Sequence, residues 1–599
     1  MSTPFNAATY LVDRQITAGH GDRPALVGPR STVTYTELAA QVARMSAGWR
    51  ALGVRPEERV LIHAADRPET VVALLSLMRM GAVPVPVSTM NTASDLAAVV
   101  RDSRCRHLLA GPEFCDRVQG ALADAVGDLT GVIVLDDAPV EPPPGVIRLR
   151  WEHLTAAGRA AEPGDLAPDR TTEDSPALWL YTSGTTGLPK AAVHRHGSIR
   201  CVAERYGRQV LRLEPSDRCY SVAKLFFAYG LGNSCFFPLA AGAAAVLDPA
   251  PPTPATVARR LTEDEPSVFF GVPSFYAALL HAGDAGAWRT VRLAVSAGEP
   301  LPPSLQHRFR ERFGIDLVNG MGSTEALHIF LSNRPGATRP GTLGVPVPGY
   351  DLRILAEDGT EAPPGEPGVL KVRAPSAADG YWCRSSSTRR VFQGEWLDTG
   401  DLFTRDADGF YVCHGRVGDM IKSGGIWVTP TEVEDCLLAH PSVAAACVVA
   451  VPDADGLDRP VACVVPADGH ALDPDALTAF CRATLAAYKV PRHVLPFAAL
   501  PTTGTGKVAR NAVREEASAR LGRARDAVRG EGAAQPGQVR DEASAQPGQI
   551  RGAGRGEVSA QPGQIRDAGR GEASAQPRHG TADAQIPVRN TLRIPSGDD

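Results

Sequence analysis

Short apolar runs alternating with helical stretches constrain this chain more than any other feature of its sequence. Leu38, Val42, Met45, Trp49 and Leu52 recur at spacings of four and three, which puts one apolar stripe on a helix over 34–54. Thr34 and Glu37 have the spacing of a capping box, and Gly53 sits where such a helix should stop. Val60, Leu61 and Ile62 then read as a strand, 69–80 as a helix, 83–87 as a strand, 94–102 as a helix and 107–110 as a strand. That alternation predicts βαβ units and a mostly parallel sheet, hence an α/β fold.

The pattern continues to about residue 415. From Thr429 a shorter α+β stretch follows, with helices over 430–439 and 474–487 and strands over 446–451 and 461–465. Between the two lies the polar, glycine-bearing run His414-Gly415-Arg416-Val417-Gly418-Asp419, which reads as a hinge. The expected organisation is a large N-terminal domain over 1–418 with mixed sheets and flanking helices. A small α+β lid domain over 419–515 and a disordered repetitive tail over 516–599 complete it. In the tail, Ala-Gln-Pro-Gly-Gln starts at Ala534, Ala545 and Ala560, and Ala-Gln-Pro returns at Ala575. Each repeat offers about one Ile or Val, too little buried apolar area to offset the entropy of ordering it.

Composition excludes several classes. Lys and Arg total 62 against 67 Asp and Glu, a formal charge of −5, whereas a nucleic-acid or anionic-membrane binder needs a net basic face. No apolar run approaches the roughly 18 residues that span a bilayer, and the N-terminus lacks a secretory pattern. The 11 cysteines include no Cys-x-x-Cys pair and read as buried apolar residues of a reducing cytoplasm.

The densest chemical signal is Tyr181-Thr182-Ser183-Gly184-Thr185-Thr186-Gly187-Leu188-Pro189-Lys190, directly after the apolar run Ala177-Leu178-Trp179-Leu180. Small hydroxyl residues and glycines let backbone amides close on phosphate oxygens, and the lysine adds charge. It is not a Walker loop: Gly187 and Lys190 are three apart and Ala191 follows. Nor does Ser296 make a nucleophile elbow, because Ala294 stands where the first glycine belongs. His194 and His196 lie two apart with no third metal ligand nearby in sequence.

The segment 182–190 resembles the phosphate loop of the adenylate-forming superfamily, which includes acyl-CoA ligases, nonribosomal adenylation domains and firefly luciferase. Further motifs of that superfamily follow in order: Ser296-Ala297-Gly298-Glu299, Gly322-Ser323-Thr324-Glu325, Thr399-Gly400-Asp401, Gly415-Arg416 with Asp419, Lys422-Ser423-Gly424-Gly425, and Pro501 through Lys507. The resemblance spans roughly residues 5–515. It implies attack of a carboxylate on the α-phosphate of ATP, giving an acyl-adenylate and pyrophosphate, then attack of a thiol with loss of AMP. By resemblance, Thr182, Ser183, Gly184, Thr185, Thr186, Gly187 and Lys190 hold the phosphates, Thr185 acting in catalysis. Gly298, Glu299, Ser323 and Thr324 border the nucleotide, and Glu325 binds magnesium. Asp401 and Arg416 meet the ribose, and Lys507 bridges carboxylate and phosphate. Met321 stands where many relatives carry an aromatic residue against adenine; a thioether can also pack on a purine face.

Two longer stretches, 221–233 and 319–333, resemble the benzoate–CoA ligase branch. There the residues matching Ala228, Tyr229, His328 and Ile329 line an aryl pocket, to which Phe237 adds a wall. Small Ala228 beside flat Tyr229 suits a ring better than a flexible chain. Lys422, Gly424 and Gly425 are implied to border the pantetheine channel after the small domain turns about Asp419. Coenzyme A and an acyl-carrier protein present the same pantetheine arm, so the motif leaves both acceptors open. A third reading, an inactive scaffold homologue, sits poorly with retained Lys507, Glu325 and Asp401.

Overall fold

The computed structural model describes residues 3–124, 127–182, 189–282, 284–423, 426–453, 457–503 and 507–531. Residues up to Glu531 form one compact unit. Its N-terminal part is a mixed α/β assembly. A nine-stranded sheet runs in the order Val345–Pro346, Ile329–Ser332, Leu317–Gly322, Leu293–Ser296, Val268–Gly271, Arg218–Ser221, Ala244–Val246, Pro24–Val27 and Thr32–Thr34. The six strands from Leu317–Gly322 to Pro24–Val27 are mutually parallel, and the flanking strands are antiparallel. A second, wholly parallel sheet orders Val83–Pro86, Arg59–His63, His107–Ala110, Gly131–Val134 and Ile147–Arg150.

The expected alternation is present. The helix Tyr35–Ala51 begins on a two-way capping box: Thr34 Oγ1 accepts from the Glu37 amide and the Glu37 carboxylate accepts from the Thr34 amide. Strands Arg59–His63 and His107–Ala110 and helices Pro68–Arg79 and Ala93–Ser103 follow where the apolar periodicity put them. Central strands are buried on both faces, so they read as unbroken apolar runs. In the large sheet Phe270, Val295 and Val318 pack into one core while Phe269, Ala294 and Leu317 pack into another.

A five-stranded antiparallel sheet ends with Tyr411–Arg416, and the turn Val417–Asp419 leads into the C-terminal α+β part. There Val443–Pro452, Asp458–Pro466 and His493–Pro496 form a sheet with helices Pro430–Leu438 and Pro474–Thr484. The last helix, Arg510–Glu531, runs past residue 516, the expected start of the tail. Its Val513, Ala517 and Leu521, spaced by four, are buried against Cys447, Val449, Cys463 and Phe497. Arg520 lies over the Phe497 ring at 4.1 Å and donates to the Pro496 carbonyl at 2.7 Å. The repeats and the lack of aromatics hide this helix, because three apolar residues on one face suffice when a sheet waits to receive them. Residues 532–599, with all the repeats, lie outside the described residues. Among the described residues no helix is long and apolar enough to cross a membrane.

A chain ending at Glu531 should therefore keep its melting temperature, whereas one ending at Arg520 should lose stability. Leu521→Ala should cost about 2 kcal/mol, the lower end for a buried leucine truncated to alanine, read by thermal or urea unfolding.

Candidate active site

The site gathers at the carboxyl edge of the large sheet. Gly271 and Ser296 are register partners, as are Ser296 and Asn319; the first two strands end level, the third runs on to Gly322, and all three release their loops on one side. Open parallel sheets bind ligands at that edge.

The phosphate-loop anchors come from a hairpin, Pro176–Thr182 against Lys190–Arg195, in which Thr182 pairs directly with Lys190. The intervening Ser183, Gly184, Thr185, Thr186 and Gly187 lie outside the described residues. The hairpin's base is braced: the Tyr181 hydroxyl donates to Asp102 at 2.8 Å, and Arg384 meets the same carboxylate at 2.5 Å. Lys190 is 7% exposed, and burial followed by the Arg390 charge lowers its pKa, with Glu325 opposing.

Glu325 sits in the tight turn between strands Leu317–Gly322 and Ile329–Ser332. A Cβ on Gly322 would lie 2.4 Å from the His328 carbonyl oxygen, so only glycine allows that approach. Leu327 holds a positive φ of 67° in the same turn. His194 Nε2–H donates to the Thr324 carbonyl at 2.8 Å; its ring is neutral, its pKa lowered to about 4 by burial. Ser323 Oγ accepts from the Ala326 amide. The Tyr381 hydroxyl donates to Glu325 Oε1 at 2.6 Å, and the Lys190 ammonium stands 5.7 Å from the centre of the same ring. Met321 is half-buried against the main core.

Asp401 is 5% exposed and pairs with Arg416 Nε at 2.9 Å, its partner across the strands. Burial raises its pKa to about 6, despite the charges of Arg416 and Lys507. Lys507, on the turn before the last helix, is exposed. Its pKa is lowered, first by desolvation and then by Arg416, while Glu299, Asp401 and Glu325 push it back up. The lysine from the C-terminal part therefore stands within electrostatic reach of three carboxylates from the N-terminal part. Glu299 is held by the Ser274 amide and hydroxyl at 2.9 and 3.0 Å, beside Gly298 at φ +92°.

Beside these charges lies an aromatic cluster. His328 is enclosed by Tyr229, Tyr206 and Phe237 with ring centres at 5.6, 5.5 and 4.5 Å. Its Nε2–H donates to the Tyr229 carbonyl at 3.3 Å, and burial lowers its pKa to about 3, so the imidazole is neutral. The Tyr229 hydroxyl donates to the Val295 carbonyl at 3.1 Å, which fixes the ring against the sheet edge. Ala228 is half-buried and Ile329 2% exposed, and the backbone of Gly320 passes close to the Ile329 side chain.

Residues 12–382 match the AMP-binding enzyme family, and residues 432–507 match the AMP-binding enzyme C-terminal domain. The chain belongs to the AMP-binding enzymes of the adenylate-forming superfamily. It is 40% identical over 519 residues to a 4-hydroxybenzoate–CoA/benzoate–CoA ligase of Rhodopseudomonas palustris, covering 85% of this chain and 94% of that protein. Among solved structures it resembles a benzoate CoA ligase from Burkholderia xenovorans, with a TM-score of 0.77 and 38% identity over 85% of this chain and 100% of that one. It also resembles the anthranilate CoA ligase AuaEII in complex with anthranoyl-AMP, with a TM-score of 0.80 and 33% identity over 87% of this chain and 99% of that one.

Several residues that hold this candidate site together gave no local signal in the sequence. Tyr381 reaches Glu325 from 56 residues away, and His194, read only for metal spacing, instead ties down the Thr324 turn. Asn319 is 6% exposed, and its buried Oδ1 accepts no hydrogen bond within the described residues. Asp419 forms an ion pair with Arg510 at 3.6 Å, and Arg510 also meets Glu434 at 2.7 Å. Lys422 lies in the strand Ile421–Ser423; Gly424 and Gly425 lie outside the described residues.

The raised pKa of Asp401 carries a pH signature. A carboxyl that titrates at about 6 is protonated below that pH and then loses acceptor capacity and its pairing with Arg416. Nucleotide affinity should fall as pH drops through 6, by up to about tenfold per unit. Titration of a fluorescent ATP analogue checks this, and Asp401→Asn should bind weakly at every pH.

Proposed function

We propose that this chain is an AMP-forming aryl acid–CoA ligase that activates benzoate or a ring-substituted benzoate with ATP. The observation that carries the reading is the pairing of two features: Lys507 within the field of the Glu299, Asp401 and Glu325 carboxylates, and, around the strand and turn that bear Glu325, an aromatic cluster of Tyr229, His328 and Phe237 with buried Ile329. The first suits phosphoryl chemistry and the second a flat apolar ring. Relatives named for benzoate, 4-hydroxybenzoate and anthranilate support the same reading.

In the first step a carboxylate oxygen bonds to the α-phosphorus and the bond to pyrophosphate breaks. Negative charge gathers on the α-phosphate, where Lys507 and Lys190 offset it. Thr182 and the loop through Gly187 hold the departing phosphates. The Glu325 carboxylate, which Tyr381 steadies, would hold a magnesium ion together with phosphate oxygens, and that ion would supply Lewis-acid neutralisation. One protein carboxylate plus substrate oxygens is the usual magnesium arrangement, and it needs no cluster of three protein ligands. Asp401 and Arg416 take the ribose hydroxyls, Met321 packs on the base, and Asn319 Oδ1 accepts from its exocyclic amine.

In the second step the coenzyme A thiolate attacks the acyl carbon and AMP leaves with the former carboxylate oxygen. The small C-terminal part turns about Asp419, exchanging Lys507 for the segment of Lys422, Gly424 and Gly425. The Asp419–Arg510–Glu434 chain fastens the pivot to the part that turns. The enzyme works in the cytoplasm, where its cysteines, unpaired throughout, stay reduced.

A pyrophosphate-release screen over benzoates, with coenzyme A or a pantetheinylated carrier protein as acceptor, tests the assignment. Benzoates should turn over, octanoate should not, and thioester should form on coenzyme A. Transfer to the carrier protein alone would make the chain an aryl-loading adenylation enzyme. Lys507→Ala should slow adenylate formation about 10³-fold, roughly 4 kcal/mol of transition-state stabilisation, while thiolysis of a supplied aryl-adenylate continues. Equal loss of both half-reactions would remove Lys507 from its role.

A further inference from the structure

A cavity of about 310 Å³ lies outside the site, between the N-terminal segment of Tyr10 and Arg14, the π-helical turn Ala203–Arg208 and the helix Phe237–Ala241. Its lining joins apolar Ala203, Leu213 and Ala241 to the polar and charged Arg14, Gln15, Glu204 and Arg208. Phe237 belongs to both spaces. It lines this cavity and also stands edge-on to His328, with ring centres 4.5 Å apart at 73°.

Two glycines hold the ring in that position. A Cβ on Gly207 would lie 3.1–3.3 Å from the Cβ, Cγ and Cδ1 of Phe237, and one on Gly232 would lie 3.0 Å from its Cζ. The ring thus runs between two backbone segments, and at Gly232 it shares the approach with the His328 ring, whose Cδ2 and Nε2 would lie 2.4 and 2.6 Å from the same Cβ. Both segments are π-helical, Ala203–Arg208 and Gly232–Phe236. Such wide turns are frequent at functional sites. Phe237 is 1% exposed, so it acts as a full wall rather than a fringe.

We infer that Phe237 is a partition between the aryl pocket and this second cavity, and that its ring sets the length of ring substituent the enzyme accepts. The inference rests on the aryl-acid reading and adds the substrate class: benzoates with short substituents are accepted, while long-chain or biaryl acids are rejected at Phe237. The rejected acids meet a side chain and not the protein's outer wall, because a partly apolar space of about 310 Å³ lies behind it.

Phe237→Ala should open one pocket into the other. The assay is thioester formation with benzoate and with butyl- and phenyl-benzoates substituted at the ortho, meta or para position. The wild type should prefer benzoate over every long-substituted acid by about 100-fold, on the order of two poorly accommodated methylenes. In Phe237→Ala one positional series should gain about 10- to 200-fold in kcat/KM while benzoate loses efficiency, the discrimination a few methylenes provide. Adding Ala241→Phe, which refills the cavity from its far side, should abolish the gain and leave benzoate at the single-variant level. Phe237→Leu with ethylbenzoates repeats the measurement through a smaller opening if the alanine variant unfolds. A wild type active on benzoate whose folded variants gain on no series overturns the partition alone, and so does a gain that survives Ala241→Phe. A wild type that turns over no benzoate overturns the aryl-acid reading and the partition with it.

Discussion

The site depends on one constraint of the backbone: the strands Val268–Gly271, Leu293–Ser296 and Leu317–Gly322 run parallel and in register. Parallel strands in register send their connections out on one side, so the loops bearing Ser274, Glu299 and Glu325 leave together. The buried faces hold that register. A slip of one residue would exchange Phe269, Ala294 and Leu317 with Phe270, Val295 and Val318, each set already matched to its own core. Tyr229 then uses the same edge, its hydroxyl bonded to the carbonyl of Val295.

On that frame the protein assembles charges that would disperse in water. Asp401 is nearly buried and held as an ion pair by Arg416, yet desolvation still carries its pKa up to about 6. Lys507 feels the opposite pressure. A cation and several carboxylates partly stripped of water act on one another more strongly than surface pairs do. An incoming triphosphate exchanges some of those contacts for its own. Tyr381 joins the two sides of this arrangement: its hydroxyl steadies Glu325 and its ring face meets Lys190.

The aromatic box obeys a different rule. His328 is kept neutral by burial, donates its single N–H to the Tyr229 carbonyl, and behaves as a flat wall among flat walls. Ring contacts at 4.5 to 5.6 Å leave the box little freedom to adapt, so its shape selects by exclusion. Phe237 gives that exclusion a definite place, with empty space behind it.

Much of this could be read along the chain. The capping box at Thr34, the strands at 60–62 and 107–110 and the helix after Pro430 are local matters of periodicity and caps, and the structure reproduces them. The motifs from Thr182 to Lys507 named the chemistry because each is a short run whose residue types carry its function. The last helix was missed because its stripe of Val513, Ala517 and Leu521 is too weak to hold a helix without the sheet beneath it. Tyr381 on Glu325, His194 on the Thr324 carbonyl, and Arg510 between Asp419 and Glu434 all join residues far apart in sequence, and no local pattern announces them. The sequence alone determined which chemical groups this protein owns and the order of its strands and helices, since propensity, periodicity and motif spacing are properties of neighbours. Only the tertiary structure decided which groups meet, how far burial moves their charges, and that a cavity stands behind Phe237, because distance and desolvation exist only once remote segments pack.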